Sequence, residues 1–164
     1  MAQKKKVLMV CLGNSCRSPM AEAVFQDEMR KMDLSDFWEV DSAAILSYHV
    51  GNGPEPRAVS TLLKAGITNY SHVARQITAS DFYKFDWIFG MDEYIIQRLY
   101  QMQQKNSQAT IELLGKYDPA GVVNIRDPLF DDDSAGFERA FQQALRSVRT
   151  FLEMTKNNTG EESK

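Results

Sequence analysis

Val7-Leu8-Met9-Val10-Cys11-Leu12-Gly13-Asn14-Ser15-Cys16-Arg17-Ser18-Pro19 decides how the rest of the chain is read. Val7 to Val10 is a short unbroken apolar run, the pattern of a parallel strand covered on both faces. Gly13 and Asn14 both accept left-handed backbone angles, so the chain can curl directly after the strand. Ser18-Pro19 predicts a helix entry, with a hydroxyl at the cap and a proline whose missing N–H is not needed at the first helical position. Strand, tight loop and helix start together aim backbone N–H groups and the positive end of a helix into one concavity, which is an anion site. Cys11 stands at its mouth and Arg17 closes it.

Sulfur attacks as the thiolate, and a helix N-terminus and a neighbouring guanidinium both favour that form. Arg17 supplies a planar fork of donors matched to two phosphoryl oxygens, a geometry lysine does not reproduce. A Cys-x5-Arg spacing alone is modest support, and a buried cysteine ending a strand is the plain alternative. The strand before it, Gly-Asn within it and Ser-Pro after it make the pattern that of a phosphate-hydrolysing site. The loop is not of the Walker type, because it lacks the terminal Gly-Lys-Ser/Thr.

At 164 residues, the chain has room for one domain with a full core and is too short for two ordinary ones. Apolar residues at 43% and charged residues at 25% describe a globular protein. A net charge of −3 argues against general nucleic-acid binding or adhesion to acidic membranes. No apolar run approaches the roughly 20 residues of a membrane span, no signal peptide opens the chain, and two cysteines make no disulfide framework. The expectation is a cytoplasmic enzyme without stable membrane insertion.

Along the chain, residues 18–32 predict a helix with Ala21, Val24, Phe25, Met29 and Met32 facing inward. A second strand follows over 38–43, then a loop from Ile45 to Pro56, then a helix over 57–65 with Val59, Leu62 and Leu63 inward and Gly66 ending it. Residues 71–78 read as irregular, 79–84 as a helical turn and 86–91 as the third strand. Asp92 caps a helix that buries Ile95, Ile96, Leu99 and Met102, and 110–114 form the fourth strand. A long loop runs to Asp133, where Asp131, Asp132 and Asp133 suit the start of the last helix. That helix carries Phe137, Ala140, Phe141, Ala144, Val148 and Phe151 on one stripe. Alternating strands and helices predict an α/β fold, a single three-layer domain of residues 1–157 with ligands at the carboxyl ends of a parallel sheet. Residues 158–164 read as a polar, disordered tail.

Cys11 to Ala23, Gly51 to Arg57, Ser71 to Ile77, Met91-Asp92-Glu93 and Asp127-Pro128 together resemble the low-molecular-weight protein tyrosine phosphatases over nearly the whole chain. The resemblance implies a four-stranded parallel sheet in order 2-1-3-4 with helices on both faces. It also implies hydrolysis of phosphotyrosine and small aryl phosphates through a thiophosphate on Cys11, without cofactor or metal, on phosphorylated protein substrates, by a monomer or weak homodimer. Leu12, Gly13, Asn14, Ser15, Cys16 and Ser18 then belong with the bound substrate, as do Tyr48 and Leu129.

The attack needs an acid for the leaving oxygen and a base for water, and one carboxyl group can serve in turn as both. Asp127 is the best candidate, since Pro128 stiffens the next step and the loop is long enough to reach the strand ends. The resemblance makes the same assignment. Ser18 has two tasks open to it, capping the helix and donating to the Cys11 sulfur. Ser42 and His72, with Asn14, match the family's polar network supporting the loop, although each alone reads as an ordinary strand-end serine, core histidine or turn asparagine. Asp92 either orients Arg17 or only caps its helix, and His49 reads as a plain loop residue. Cys16 sits where it could trap oxidised Cys11 as a disulfide.

Three positions bear on the substrate. Ser15 stands where the tyrosine phosphatases of the family commonly have isoleucine and where related arginine phosphatases have threonine. Leu129 and Phe130 stand where eukaryotic members usually have tyrosines, and Tyr48 is placed to stack on a phenyl ring. Phosphotyrosine is therefore the first expectation and phosphoarginine, on the same machinery, the alternative. A thiol-relay arsenate reductase would need further cysteines downstream of Cys16, and there are none. A phosphate-binding module without turnover would need neither Cys11 nor Asp127.

Overall fold

The computed structural model describes residues 3–131 and 134–162. Four strands, β1 (Lys5–Cys11), β2 (Trp38–Ala44), β3 (Trp87–Gly90) and β4 (Thr110–Leu113), form one parallel sheet in the order β2-β1-β3-β4. Helices α1 (Arg17–Lys31), α2 (Pro56–Lys64), α3 (Asp81–Lys84), α4 (Glu93–Met102) and α5 (Ala135–Glu162) connect and cover it. Among the described residues no helix is long and apolar enough to cross a membrane.

Because successive side chains of a strand point to opposite faces, the apolar run of β1 feeds two cores. Val7, Met9 and Cys11 join α1, α2 and α5 on one face, while Leu8 and Val10 join Ile88, Ile95, Leu99, Phe82 and Phe85 on the other. Phe151 on the α5 stripe is the hub of the first core. Its ring lies 5.1–6.3 Å from those of Phe25, Trp38, Trp87, Phe89 and Tyr117. The sheet registers Cys11 against Ala44, so the loop after β1 leaves from the carboxyl edge beside Ile45, whose N–H donates to the Cys11 carbonyl at 3.0 Å.

Several expectations change in detail. The first helix starts at Arg17, one residue early, and its cap position is Cys16, without a side-chain cap. Ser18 lies inside the first turn, where proline at the next position is tolerated because those N–H groups have no helical partner. Leu63 is 51% exposed, and Ala58, Thr61 and Leu62 form the buried face of α2 instead. The backbone of α5 continues as helix to Glu162, past the expected end near residue 157. Of the three expected aspartates before α5, only Asp131 lies within the described residues; Asp132 and Asp133 fall outside them, as do Ser163 and Lys164 of the expected tail.

Candidate active site

Cys11 ends β1 with its Sγ buried, 3.3 Å from the Asn14 N–H, which donates to it, and 3.0 Å from Ser18 Oγ. Asn14 takes the left-handed angle anticipated for the curl, φ +55°. Its side chain holds that turn by using its full hydrogen-bonding capacity. Nδ2 donates to Ser18 Oγ (2.8 Å) and Ser42 Oγ (2.9 Å), while Oδ1 accepts from His72 Nε2 (2.7 Å) and the Arg75 N–H (3.2 Å).

Directions follow along this chain of bonds. Since Ser18 Oγ accepts from Asn14, its own proton is free to point at Cys11 Sγ, which stabilises negative sulfur. Ser42 accepts from Asn14 and donates to Glu22 Oε1 at 2.7 Å, and the Tyr70 hydroxyl donates to the same oxygen at 2.8 Å. Glu22 is 5% exposed, and burial pushes its carboxyl up to about 7 against the lowering effect of the Ser42 and Tyr70 hydrogen bonds. Burial also pulls the His72 imidazole down from its ordinary value. Asp41 accepts from the Ser42 N–H (2.8 Å) and from Arg75 Nε (3.0 Å). Glu22, Asp41 and His72 thus bring ligand-type atoms within 4.8 Å of one another, but each is committed to this hydrogen-bonded support.

Arg17 is 4% exposed and spans the strand ends. Its Nη1 donates to Asp92 Oδ2 (2.5 Å) and to the Ile125 carbonyl (3.0 Å), and Nη2 lies 3.7 Å from Asp127 Oδ2. Asp92 therefore does both things considered for it, because its other oxygen accepts from the Ile95 N–H at 2.9 Å and caps α4. Asp127 caps the short 3-10 turn Pro128–Phe130 through Oδ1, which accepts from the Leu129 N–H at 3.0 Å. Its other oxygen, Oδ2, is the one that faces Arg17.

Cys11, Arg17 and Asp127 border one cavity, whose wall is completed by Leu12, Gly13, Ser15, Cys16, Tyr48, His49 and Leu129. Asn14 and Ser18, grouped with the substrate residues above, sit behind the loop and off the cavity wall. Tyr48 stands at the rim, 74% exposed. His49, expected to be only a loop residue, is part of the wall. Its ring lies over Gly13 so closely that a Cβ there would come within 2.8 Å of Cδ2 and push the ring aside. Cys16 is a free thiol on the same cavity wall as Cys11, pushed up to about 12 by burial and by the charges of Asp127 and Cys11.

Residues 6–161 match the model of the family described as low molecular weight phosphotyrosine protein phosphatase. The chain belongs to this family. The low molecular weight phosphotyrosine protein phosphatase of Sus scrofa is 50% identical over 151 residues, covering 91% of this chain and 94% of that protein. The crystal structure of Primo-1 superposes with a TM-score of 0.87 at 45% identity, covering 91% of this chain and 97% of that one. DARP, a Drosophila arginine phosphatase, superposes with a TM-score of 0.87 at 40% identity, covering 92% and 98%. The chain thus has the fold and family of a cysteine-based phosphoric monoester hydrolase.

Glu22, Tyr70, Asp41 and Arg75 were missed as site residues because their signals are ordinary ones. Glu22 occupies a helix position that reads as polar surface, and Tyr70 lies 48 residues away in an irregular segment. Ile125 acts through its carbonyl, which no side-chain pattern reveals.

Proposed function

We propose that this protein hydrolyses phosphotyrosine in protein substrates by two in-line displacements. Cys11 Sγ attacks phosphorus, forming the S–P bond as the ester O–P bond breaks. Arg17 holds phosphoryl oxygens, and Asp127 Oδ2 gives its proton to the departing phenol oxygen. Asp127, now a carboxylate, takes a proton from water as that water forms the new O–P bond. The S–P bond breaks as that bond forms, and the Ser18 hydroxyl stabilises the thiolate that leaves. The observation that carries this reading is the convergence of Cys11, Arg17 and Asp127 on one cavity, with Ser18 Oγ 3.0 Å behind the sulfur. Tyr48, His49 and Leu129 wall that cavity and suit a flat ring. In the same reading the enzyme works in the cytoplasm as a monomer or weak homodimer. Turnover of a phosphotyrosine peptide should vanish in Cys11→Ser while the fold, read by circular dichroism, persists; retained turnover defeats the mechanism.

Ser15 favours a second reading, since a small polar residue on the cavity wall also suits a guanidinium leaving group, and DARP is named an arginine phosphatase. Values of kcat/KM on matched phosphotyrosine and phosphoarginine peptides decide between them. We expect preference for phosphotyrosine in both wild type and Ser15→Ile. A phosphoarginine preference that Ser15→Ile abolishes would keep the mechanism and change the substrate.

A further inference from the structure

A set of bonds outside the catalytic groups closes the segment around Asp127 from its far side. Arg126 Nη2 pairs with Asp131 Oδ1 at 3.0 Å, and the Asp131 N–H donates to the Pro128 carbonyl at 3.0 Å, so residues 126–131 form a ring with Asp127 inside it. The Asp131 carbonyl in turn accepts from Arg57 Nη1 at 3.3 Å. Arg57 is itself fixed, its Nε and N–H both donating to the Glu55 carboxylate (2.9 and 2.6 Å) and its guanidinium lying 4.6 Å from the centre of the buried Phe137 ring. The Glu55 N–H donates to the Ser15 carbonyl at 3.0 Å, inside the loop that carries the nucleophile. A short path of direct contacts therefore runs from the Cys11 loop through Glu55 and Arg57 to Asp131 and the acid. A Cβ on Gly136 would fall 2.1 Å from Asp131 Oδ2, so a side chain at 136 would push this carboxylate from its place at the start of α5.

We propose that Asp131 and Arg57 are positioning residues: they clasp the segment so that Asp127 Oδ2 is held over the leaving oxygen at a fixed distance from the Cys11 loop. The inference rests on Asp127 being the acid. Arg17 secures the segment before Asp127 through Ile125, and the clasp secures it after. An exposed ion pair such as Arg126–Asp131 adds little to stability. Its value here is geometric, because small misplacement of a catalytic group costs rate steeply.

The test is kcat/KM for a series of aryl phosphates from 4-nitrophenyl to phenyl, with inhibition by inorganic phosphate measured alongside. Asp131→Ala and Arg57→Ala should each lose about tenfold on the phenyl ester, whose leaving group needs the proton, and less than about twofold on the nitrophenyl ester. Inhibition by phosphate should stay unchanged, since the binding loop is intact. Asp131→Asn, which keeps an acceptor for Arg126, should recover most of the loss. In an Asp127→Ala background neither substitution should cost anything more on the phenyl ester. Equal losses on all esters, no loss, or full additivity with Asp127→Ala would overturn the clasp while Asp127 itself still shows its leaving-group dependence. If Asp127→Ala falls equally on all esters, the acid assignment fails, and the clasp fails with it.

Discussion

The loop of residues 11–18 and the segment of residues 118–131 meet at one cavity and are fixed by different means. In the first, the interior does the holding: Asn14 is 1% exposed, Ser18 and Ser42 are fully buried, and three side chains and the Arg75 N–H, from four separate places in the chain, converge on one asparagine. In the second, the ends are tied and the middle stands near water. Asp118 pairs with Arg146 through two 2.9 Å bonds, the Ile125 N–H donates to the Met91 carbonyl at 2.8 Å, and Arg17 and Arg57 take hold of main-chain carbonyls. The difference follows from the two tasks. In the proposed mechanism a phosphate is held through both displacements, which favours a buried and fully bonded loop. In the same mechanism Asp127 gives its proton to the leaving group and regains one from the attacking water, so its carboxyl stays open to the cavity while its backbone is tethered.

Breaking the second region should therefore damage chemistry without damaging the fold. Asp127→Ala should lower kcat/KM on phenyl phosphate by about 10² to 10⁴-fold, the usual range for a lost general acid. Its unfolding free energy should change by only about 1 kcal/mol, because the side chain caps one short turn through the Leu129 N–H and otherwise meets only Arg17 Nη2, at 3.7 Å. A large loss of thermal stability in this variant would mean that the two regions are not as separate as their contacts indicate.

Breaking the first region should do the reverse in proportion. Asn14→Ala puts a Cβ residue without a polar side chain at φ +55° and takes away the buried partner of Ser18, Ser42, His72 and the Arg75 N–H. We expect a loss of about 3 kcal/mol from these combined costs, roughly 10 °C in Tm for a domain of this size. Asn14→Gly removes the backbone strain but not the lost bonds, so it should recover about 1 kcal/mol of that in a thermal melt. Complete recovery in the glycine variant would show that the angle, and not the network, is what Asn14 supplies.

The same contrast explains what could be read without coordinates. Val7 to Val10 and the stripe from Phe137 to Phe151 announced strand and helix because periodicity and burial are local properties, and both proved buried. Cys11 and Arg17 were legible because one short loop carries both. The support behind the loop was legible only as far as the family resemblance reached, to Ser42 and His72, since contacts 28 and 58 residues apart leave no local trace. Ser18 misled as a helix cap because the same hydroxyl serves the sulfur once the helix begins one residue earlier. His49 was missed because its role depends on the absence of a side chain at Gly13. On the acid side, Asp131 read as a helix-terminal charge, and its contact with Arg57 through a carbonyl has no sequence signature.

The smallest effect lies in the pH dependence that only the buried region should show. Glu22 would titrate near 4.5 if unfolded, and burial raises it to about 7 in the folded protein. Between those values the folded state holds a proton that the unfolded state has released, so this group makes stability fall as pH rises through the window. His72, 3.3 Å away through Nδ1, acts in the opposite sense, because burial lowers it and the folded state then holds fewer protons than the unfolded one. Wild type therefore shows the two contributions offsetting each other. Glu22→Gln keeps a carbonyl to accept from Ser42 and Tyr70 but removes the titration, and Asp41, His72 and Arg75 remain as they were. The Tm of the variant minus that of wild type should accordingly increase steadily from pH 4.5 to 7. A difference that stays constant across this range would mean that Glu22 keeps its ordinary acidity in the fold, and that the loop's support is charged rather than neutral at mid-range pH.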